Sequence, residues 1–361
     1  MRTFSIQEDL NDKFWKQYAA LWQNSAEKSP FQAPEILKYF SGLDHGHPLA
    51  FQLWVNEELT GAVVFTKFKN TFQFLSDWKT DANWFVFHQQ TSDSDMSYFF
   101  DNLLETIKKN KNCLVLNNIP ASADHVKQLR IAGERSQLFC QQINYGVSLR
   151  VVSETPYEMF KIIKSSSQTR SSVNKIKKHK NSLFEVLSDD TDMENWVKEF
   201  CEVHVRRWSG TKTPSVFSDI NKQAFLLGCL KAWNKENLLV RFSIKIDNKR
   251  ISFAIGLIEN ETLIFHSTTF DPEYAKLSPG RSIIYYIGEW MVEHKLNILD
   301  FGNGDEGYKS YFANDIKVLE RIFFAGAGNF LFKFKAIVIK RVKSQNRLYQ
   351  FYKENIKIHF N

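Results

Sequence analysis

A glycine-rich acidic segment, DFGNGDEGYKSYFAND (300–315), contains the residue types that most directly suggest chemistry. It begins at the end of the apolar run LNILDF (296–301) and combines the carboxylates of Asp305 and Glu306 with the amine of Lys309. A carboxylate at a strand end can take a proton from an attacking amine or hold that amine in line. An ammonium can stabilise a developing oxyanion or bind an anionic group. The alternative is structural, with either carboxylate capping a short helix that follows.

Three glycines in this segment, Gly302, Gly304 and Gly307, permit a sharp turn with positive φ and a close approach of the backbone to a ligand. Their spacing is that of G-x-G-x-x-G, but the helix and the later acidic residue of a dinucleotide site do not follow. The sequence therefore predicts turn-forming glycines rather than a phosphate cradle here.

A second candidate, LSPGRS (277–282), introduces a helix whose apolar residues fall on one face. Ser278 can cap this helix, Pro279 suits its first turn, and Gly280 leaves the backbone open. The free N–H groups and the positive end of the helix dipole suit an anion, and Arg281 adds a fixed positive charge. An ordinary capped helix is the alternative on these residues alone.

Two histidines are further candidates. His204 lies on a predicted helix with Arg207 and Trp208, where packing or capping is the alternative to a substrate contact. His266 lies in the predicted strand LIFHSTTF (263–270), and its role depends on the face that this strand presents. The sequence contains no catalytic Ser/His/Asp set, zinc motif or Walker loop, so we expect no bound metal.

The elements that must position these residues occur twice in the same order. A hairpin and a third strand precede a helix at 94–109 and the strand CLVLNNI (113–119), and earlier helices are predicted at 6–24 and 34–41. The second copy runs from the hairpin LVRFSIKI/ISFAIGLI through ETLIFHSTTF and a helix at 280–294 to LNILDF. A whole supersecondary order that repeats with little residue identity predicts two similar domains.

Each copy resembles the mixed sheet of GNAT (acyl-CoA N-acyltransferase) proteins, which bind ligands where neighbouring strands splay. We therefore predict an α/β fold with two tandem GNAT-like domains. The predicted boundaries are 1–155 for a degenerate N-terminal copy, 156–330 for the acyltransferase domain, and 331–361 for a basic helical extension.

Composition indicates a globular protein: 43% of the 361 residues are hydrophobic and 24% are charged. The four cysteines, Cys113, Cys140, Cys201 and Cys229, match no metal-binding spacing, and we predict buried thiols in a reducing compartment. The N-terminus lacks the apolar core of a signal peptide, and no apolar run approaches membrane-spanning length, so we expect a cytoplasmic protein.

Charge is concentrated in two basic segments. Residues 161–180 and 331–361 each carry a net charge of +7, which equals the net charge of the whole chain, so the remaining sequence is acidic. Such patches suit an anionic partner: a nucleotide, a coenzyme phosphate, tRNA or an anionic lipid surface. Two solvated helix faces are the alternative. The C-terminal segment either packs against its own domain or lies peripherally on the inner face of the membrane.

Three motifs in order resemble one family. DFGNGDEGYKSYFA (300–313) resembles the DFGxGDExYKxxF signature of the CelD-like GNAT-type acetyltransferases found beside polysaccharide biosynthesis genes. DPEYAKLSPG (271–280) is similar to the loop upstream of that signature, and FCEVHVRRWSG (200–210) resembles the family's H-x-x-R-W helix. The resemblance covers roughly residues 165–325. This family is similar in turn to the Fem peptidyltransferases, which have two GNAT-like domains and use aminoacyl-tRNA.

The resemblance implies acyl-CoA, in particular acetyl-CoA, as a co-substrate that is not permanently bound. It also implies that Lys309 lies near the acyl carbonyl, that Tyr308 lines the acceptor channel, and that Asp305 or Glu306 acts on the acceptor amine. The residues expected to hold the donor are Ser278, Gly280, Arg281 and Ser282. The residues expected to contact the substrate are Asp300, His204, Arg207, Trp208 and His266.

The leading functional hypothesis is an N-acyltransferase that acts on an amine of a cell-envelope or polysaccharide precursor, such as a sugar, nucleotide sugar or peptide. A Fem-like transferase that depends on aminoacyl-tRNA is the first alternative, weakened because the long charged helical hairpin of Fem enzymes is not visible in the sequence. A non-enzymatic basic protein that binds nucleic acid or a membrane is the second. No recognition-helix or base-stacking motif is present, so we expect no specific nucleic-acid partner outside the tRNA alternative.

Overall fold

A computed structural model describes residues 1–43, 46–78, 80–304 and 306–344. The chain divides into two compact units, each built from stretches that are not contiguous in sequence. Unit 1 comprises the described residues of Met1–Ala26, Leu43–Gly146 and Val318–Asn361, and unit 2 comprises Glu27–Gly42 and Val147–Lys317.

The described residues form thirteen strands. Most of them alternate buried and exposed side chains or, in the sheet centres, are buried throughout. In chain order they are β1 (Arg2–Gln7), β2 (His47–Val55), β3 (Glu58–Phe68), β4 (Thr71–Phe74), β5 (Val86–Phe87), β6 (Cys113–Pro120), β7 (Phe139–Val152), β8 (Ser182–Leu187), β9 (Leu239–Ile246), β10 (Lys249–Glu259), β11 (Thr262–Phe270), β12 (Ile298–Asn303) and β13 (Asp315–Ala325).

Ten α-helices accompany these strands within the described ranges. Several begin at a serine, threonine, aspartate or asparagine whose side chain accepts a hydrogen bond from the first turn, which is the usual capping arrangement. The helices are α1 (Asp12–Gln23), α2 (Pro34–Ser41), α3 (Asp93–Lys109), α4 (Asp124–Ser136), α5 (Pro156–Ser165), α6 (Ser167–Lys177), α7 (Met193–Trp208), α8 (Ile220–Lys235), α9 (Pro279–Glu293) and α10 (Phe330–Ser344).

In unit 1 the strand order is β1-β2-β3-β4-β6-β13, with β5 paired to β3. The β2–β3 hairpin turns through Asn56 and Glu57, both at positive φ, as a tight two-residue turn requires. β4 and β6 pair in parallel, and α3 supplies the crossover between them. A core rich in phenylalanine, including Phe65, Phe85 and Phe99, lies between this sheet and α3 and α4.

In unit 2 the order is β7-β12-β11-β10-β9-β8. The β9–β10 hairpin turns through Asp247 and Asn248, again at positive φ, and β11 pairs in parallel with β12 across α9. Helices α5, α6 and α9 cover one face with an aliphatic and aromatic core. On β10, Phe253 packs against Trp196 and Phe200 of α7. Each unit thus contains the predicted order of hairpin, strand, helix and parallel strand, and the predicted α/β fold is confirmed.

Some local predictions are wrong. The helix predicted at 6–24 begins only at Asp12, because residues 6 and 7 belong to β1, which pairs with β2. Cys140 is exposed, because it lies on an outward position of β7, whereas the other three cysteines are buried as expected. In the part of the chain that the structure describes, no helix combines the length and the apolar character needed to cross a membrane.

Candidate active site

The parallel strands β11 and β12 separate part of the way along. Their pairing stops at Ile264 and Asp300, although β11 runs on to Phe270 and β12 to Asn303. The other edge of β11 stays paired with β10 as far as Ser252. The carboxyl ends of the two strands therefore open a gap, at the position where α/β sheets bind ligands.

Strand β11, which lines one side of this gap, is irregular at His266. There β11 has one residue more than β10, which is a β-bulge. The His266 ring packs 5.2 Å from the ring of Trp233 and 5.7 Å from that of Phe31. The structure thus places this predicted substrate residue in aromatic packing at a bulge.

Asp300 is a deeply buried charged group at the gap, with 1% of its surface exposed. Its two neighbours in β12 join the core beneath α9, so strand alternation directs Asp300 to the opposite face. Its Oδ1 accepts a hydrogen bond from the Gly302 N–H at 2.9 Å and from the Ser148 hydroxyl. Its Oδ2 lies 2.5 Å from Nζ of Lys317. This network fixes the backbone where β12 ends.

The network keeps Asp300 ionised. Burial by itself pushes the pKa of Asp300 upward, but the Lys317 ammonium and the hydrogen bonds from Ser148 and the Gly302 N–H outweigh it, so the pKa lies below its ordinary value. The carboxyl that is buried here is therefore charged at neutral pH and acts as a fixed anion.

Glu259, at the end of β10, behaves in the opposite way. Burial raises its pKa to about 7, and Asp300 adds to that rise, against the opposing charges of Lys317 and Arg150. The pKa of Glu259 is therefore raised and that of Asp300 is lowered, although both carboxyls lie near Lys317. The reason is that, among the described residues, the ion pair of Lys317 is with Asp300. Glu259 is the group in this cluster that exchanges a proton near neutral pH.

The glycine turn wraps around Lys309. Gly302 and Gly304 have φ values of 68° and 127°, and a Cβ at Gly304 would lie 2.7 Å from Oε2 of Glu306. Nζ of Lys309 lies 2.7 Å from the same Oε2 and donates longer hydrogen bonds to the carbonyls of Gly302 and Gly304, at 3.4 and 3.5 Å. Gly307 is in open space at an ordinary φ. Two of the three glycines are therefore required by the turn, and the buried ammonium holds it closed.

The remaining residues of this segment have separate positions. Asp305 lies outside the described residues. Glu306 is exposed apart from its ion pair with Lys309. The Tyr308 ring stands edge-on to Phe301 at 6.3 Å. The short helix expected after the glycines is a single 3-10 turn, because the chain enters β13 within four residues.

Arg207, on the last turn of α7, faces this segment. Its guanidinium lies 4.1 Å from the centroid of the Phe270 ring and 5.5 Å from that of Trp208. Burial lowers the pKa of Arg207, and the nearby Tyr308 phenol opposes that shift. Among the residues that the structure describes, no carboxylate pairs with this guanidinium. A desolvated arginine that has no carboxylate partner among the described residues suits an anionic ligand group.

The adjacent arginine shows the contrast. Arg206 pairs at 3.2 Å with the fully buried carboxylate of Asp271, which also contacts Nζ of Lys249 at 2.9 Å and accepts from the Glu273 N–H at 3.1 Å. Asp271 therefore anchors the turn between β11 and α9. Asp271 was not predicted as a site residue from the sequence, although an aspartate directly before Pro272 is a recognisable helix-capping signal.

The predicted donor turn follows this anchor. Ser278 has a left-handed backbone (φ 54°, ψ 51°) and makes no side-chain capping bond, so the prediction that its hydroxyl caps α9 is wrong. Pro279 has no N–H, which leaves the Gly280 N–H as the open donor of the first turn. A Cβ at Gly280 would lie 3.2 Å from the Phe270 ring. The backbone of this turn thus lies directly against the ring that carries Arg207.

Two side chains complete the turn. Arg281 donates a short hydrogen bond to Gln168 and lies 5.5 Å from the centroid of the Tyr311 ring. Ser282 is fully buried, with its hydroxyl 3.4 Å from the Ser278 carbonyl. Arg281 therefore presents the accessible positive charge at the start of α9, and Ser282 supports the backbone.

His204 lies apart from the gap. Its Nδ1 is 2.8 Å from the Ser215 hydroxyl, and its ring is edge-on to Phe217 at 5.0 Å and stacked near Trp208 at 6.0 Å.

The structure brings Arg207 and Tyr308 together at the open ends of β11 and β12. The Phe270 ring, which contacts both Arg207 and Gly280, connects them to the donor turn. Neither histidine faces this group in the contacts described. Ser148, Glu259 and Lys317 were missed, because only the tertiary fold brings them to Asp300.

Comparisons with known proteins agree with this architecture. Residues 164–310 match the family described as an acetyltransferase (GNAT) domain. This segment spans α6 to the 3-10 turn at Lys309 and includes the gap, the donor turn and the glycine turn. Among curated proteins, no match to the chain is found.

Solved structures with the same fold cover both units. FemX superposes with a TM-score of 0.59 at 11% identity, over 85% of this chain and 95% of that one. L-PGS from Bacillus licheniformis gives 0.58 at 9% identity, over 94% and 99%. A conserved protein of unknown function from Bacteroides thetaiotaomicron gives 0.53 at 12%, over 90% and 100%. At these identities the similarity establishes the fold alone.

Residues 164–310 therefore form a GNAT-type acetyltransferase domain, which supports an acyltransferase. The predicted α/β fold with GNAT-like domains is confirmed, and the chain shares this fold with FemX.

The Asp300–Lys317 pair can be tested by removing one charge. Asp300→Asn leaves the Lys317 ammonium, 15% exposed, without its partner, and we expect the free energy of unfolding at pH 7 to fall by about 3–5 kcal/mol. Urea unfolding followed by circular dichroism measures this difference. The double variant Asp300→Asn/Lys317→Met should recover part of the loss, because it leaves no unpaired charge.

The same pair predicts a pH dependence. Because the folded pKa of Asp300 is lowered, its contribution is present above the unfolded pKa of about 4 and is lost as the pH falls through the folded value. The stability difference between wild type and Asp300→Asn should therefore shrink below about pH 4. Equal stabilities at pH 7 would contradict the role assigned to this pair.

Proposed function

We propose that the protein is an N-acyltransferase that transfers an acyl group from acyl-CoA, in particular acetyl-CoA, to an amine of a cell-envelope or polysaccharide precursor. The observation that carries this proposal is the gap between β11 and β12, which opens beside the α9 donor turn and the Arg207–Tyr308 pair. Acyl transfer needs a donor and an amine held in line, and the gap offers a place for both.

The donor is assigned to the β11–α9 corner. GNAT domains generally use acyl-CoA as a co-substrate. The left-handed Ser278, the open N–H of Gly280 and the charge of Arg281 suit a pyrophosphate at the start of a helix. Beyond Ile264, where β11 no longer pairs with β12, an extended pantetheine arm could lie along the strand. The residues present therefore fit this co-substrate.

The chemistry follows from that placement. The acceptor amine attacks the thioester carbonyl, the C–N bond forms as the C–S bond breaks, and the proton released from nitrogen leaves with the thiolate. Asp305 or Glu306 aligns the amine or first takes that proton and then passes it to the thiolate. Lys309 holds the turn that presents them, and Tyr308 lines the acceptor side. A cytoplasmic location is proposed, since CoA thioesters are cytoplasmic metabolites.

Unit 1 supports the assignment of the donor to unit 2. Its parallel pair β4–β6 also ends after three residues, but the chain itself then occupies the opening. The Asn83 side chain donates to the Asn117 carbonyl at 3.0 Å, the Asn83 N–H donates to Asn118, and the Asn118 side chain donates to Thr80 at 3.1 Å. This self-filled opening suits a degenerate copy that serves as scaffold.

The fold of FemX favours one alternative, a transferase that uses aminoacyl-tRNA. The basic segment around α6, with Lys175, Lys177, Lys178 and Lys180, would then contact RNA phosphates. Binding of charged tRNA with no binding of coenzyme A would select this alternative. Nucleic-acid or lipid binding by a wild type that neither binds coenzyme A nor transfers an acyl group would instead select the non-enzymatic protein.

Donor binding tests the main proposal. Arg281→Ala removes the charge at the start of α9, and we expect the dissociation constant for coenzyme A to rise about 10-fold. Isothermal titration calorimetry measures it. Lys231→Ala, which breaks an exposed ion pair between α8 and Glu194, is the matched control and should bind normally. Unchanged affinity in Arg281→Ala would show that the donor lies elsewhere.

Arg207 generates a prediction about the acceptor. In a panel of amines assayed for thiol release from acetyl-CoA, acceptors with a phosphate or carboxylate should react faster than neutral analogues such as the unphosphorylated sugar. Arg207→Met should lower kcat/KM for the anionic acceptors roughly 10- to 100-fold and leave the KM for acetyl-CoA unchanged.

Arg207→Lys separates the effect of the positive charge from that of the planar guanidinium. It keeps the charge but loses the planar stack on Phe270, so intermediate activity is expected. Equal rates for neutral and anionic acceptors, with no effect of Arg207→Met, would contradict this assignment.

A further inference from the structure

Helix α10 uses one face to pack against unit 1. Phe332, Ala336 and Ile339 lie on this inner face and contact Ile143 and Phe323. These three positions are spaced by three and four residues, so they form a single stripe along the helix. The inner stripe is enough to seat the helix, and every other apolar side chain of α10 therefore needs a separate explanation.

A second apolar stripe faces away from that contact. Its members recur at i, i+1, i+4, i+7 and i+8, which places them on one side of the helix. Their exposed fractions are high for such large side chains: Phe330 77%, Leu331 80%, Phe334 65%, Ile337 44% and Val338 38%.

Single exposed apolar residues are ordinary on protein surfaces, but a contiguous stripe of five marks an interaction site. Elsewhere in the described chain, the exposed large apolar residues are spread over many elements, as with Leu183, Val216 and Ile220. The outer stripe of α10 is thus the part of the described surface where apolar exposure is concentrated.

Charge defines what the stripe would contact. At 100° per residue, Lys333 and Lys340 border one side of it and Lys335 borders the other, with Arg341 in the last turn. Helix α10 contains no acidic residue. The sequence beyond it, 345–361, adds three basic residues against Glu354. An apolar face between basic flanks is complementary to an anionic phospholipid surface, where the rings enter the acyl boundary and the lysines reach the phosphates.

We propose that the outer face of α10 is an interfacial membrane anchor that docks on anionic phospholipid bilayers. The helix would lie in the plane of the bilayer surface, with its inner face on unit 1 and its outer stripe toward the lipid. The anchor is independent of the acyl-transfer chemistry, and it would hold the enzyme at the surface where lipid-linked envelope precursors are found.

Co-sedimentation with vesicles tests the proposal on the full chain. We expect binding to phosphatidylcholine vesicles that contain about 30% phosphatidylglycerol, and at least 10-fold weaker binding to pure phosphatidylcholine. Raising the salt from roughly 0.1 to 0.5 M should weaken binding without abolishing it, because the apolar part is not screened.

Two variants separate the contributions. Phe330→Ser/Phe334→Ser should lower affinity at least 10-fold in any salt, and Lys335→Glu/Lys340→Glu should remove the preference for anionic lipid. Leu183→Ser/Val216→Ser, which changes exposed apolar residues outside α10, is the matched control and should bind as wild type does. Thermal unfolding checks that each variant is folded.

Three outcomes would overturn the proposal. The first is no binding of the folded wild type to anionic vesicles. The second is equal binding by wild type and Phe330→Ser/Phe334→Ser. The third is a concentration-dependent dimer, seen by light scattering, that this double variant dissolves while vesicle binding is absent, since the stripe would then bind a second copy of the chain.

Discussion

The candidate active site depends on one buried carboxylate. Burying the charge of Asp300 is unfavourable unless partners replace its water, and the Lys317 ammonium, the Ser148 hydroxyl and the Gly302 N–H do so together. These partners come from three strands, β7, β12 and β13, so satisfying the charge also fixes where β12 ends. The turn around Lys309 starts from that point, and its geometry is therefore set by an electrostatic constraint deep in the sheet.

The fold was largely predictable because its signals are local. Alternating apolar residues mark the hairpin strands, and the tight turns fall at residues that tolerate positive φ, such as Asn56 and Asn248. The start of the first helix was misplaced at residue 6 because the state of residues 6 and 7 is decided by pairing with β2, more than forty residues away. Residues Glu27–Gly42 belong to unit 2 because of their tertiary contacts. The hydrophobic periodicity of the sequence does not indicate such contacts.

The candidate site was predictable in its residue types but not in its geometry. The sequence draws attention to the glycines, Lys309 and Arg207. Their spacing does not indicate that the glycine turn encloses the Lys309 ammonium, or that the Arg207 guanidinium lies against the Phe270 ring. Ser278 looked like a cap because of its type, and the left-handed backbone removes that role. Ser148 gave no signal, since its partner is 152 residues away.

Phe270 gives the proposed donor and acceptor sites a common support. One part of the ring lies against the Gly280 backbone and another carries the Arg207 guanidinium, so the two proposed binding elements are positioned by the same side chain. Asp271 follows Phe270 in the sequence, and its carboxylate pairs with Lys249 of β10 and Arg206 of α7. These ion pairs fix the backbone beside the ring. An error in the ring's position would displace the donor turn and the arginine together. Under the proposed function, a single aromatic side chain at the end of β11 would keep the two reactants in register, as direct acyl transfer requires.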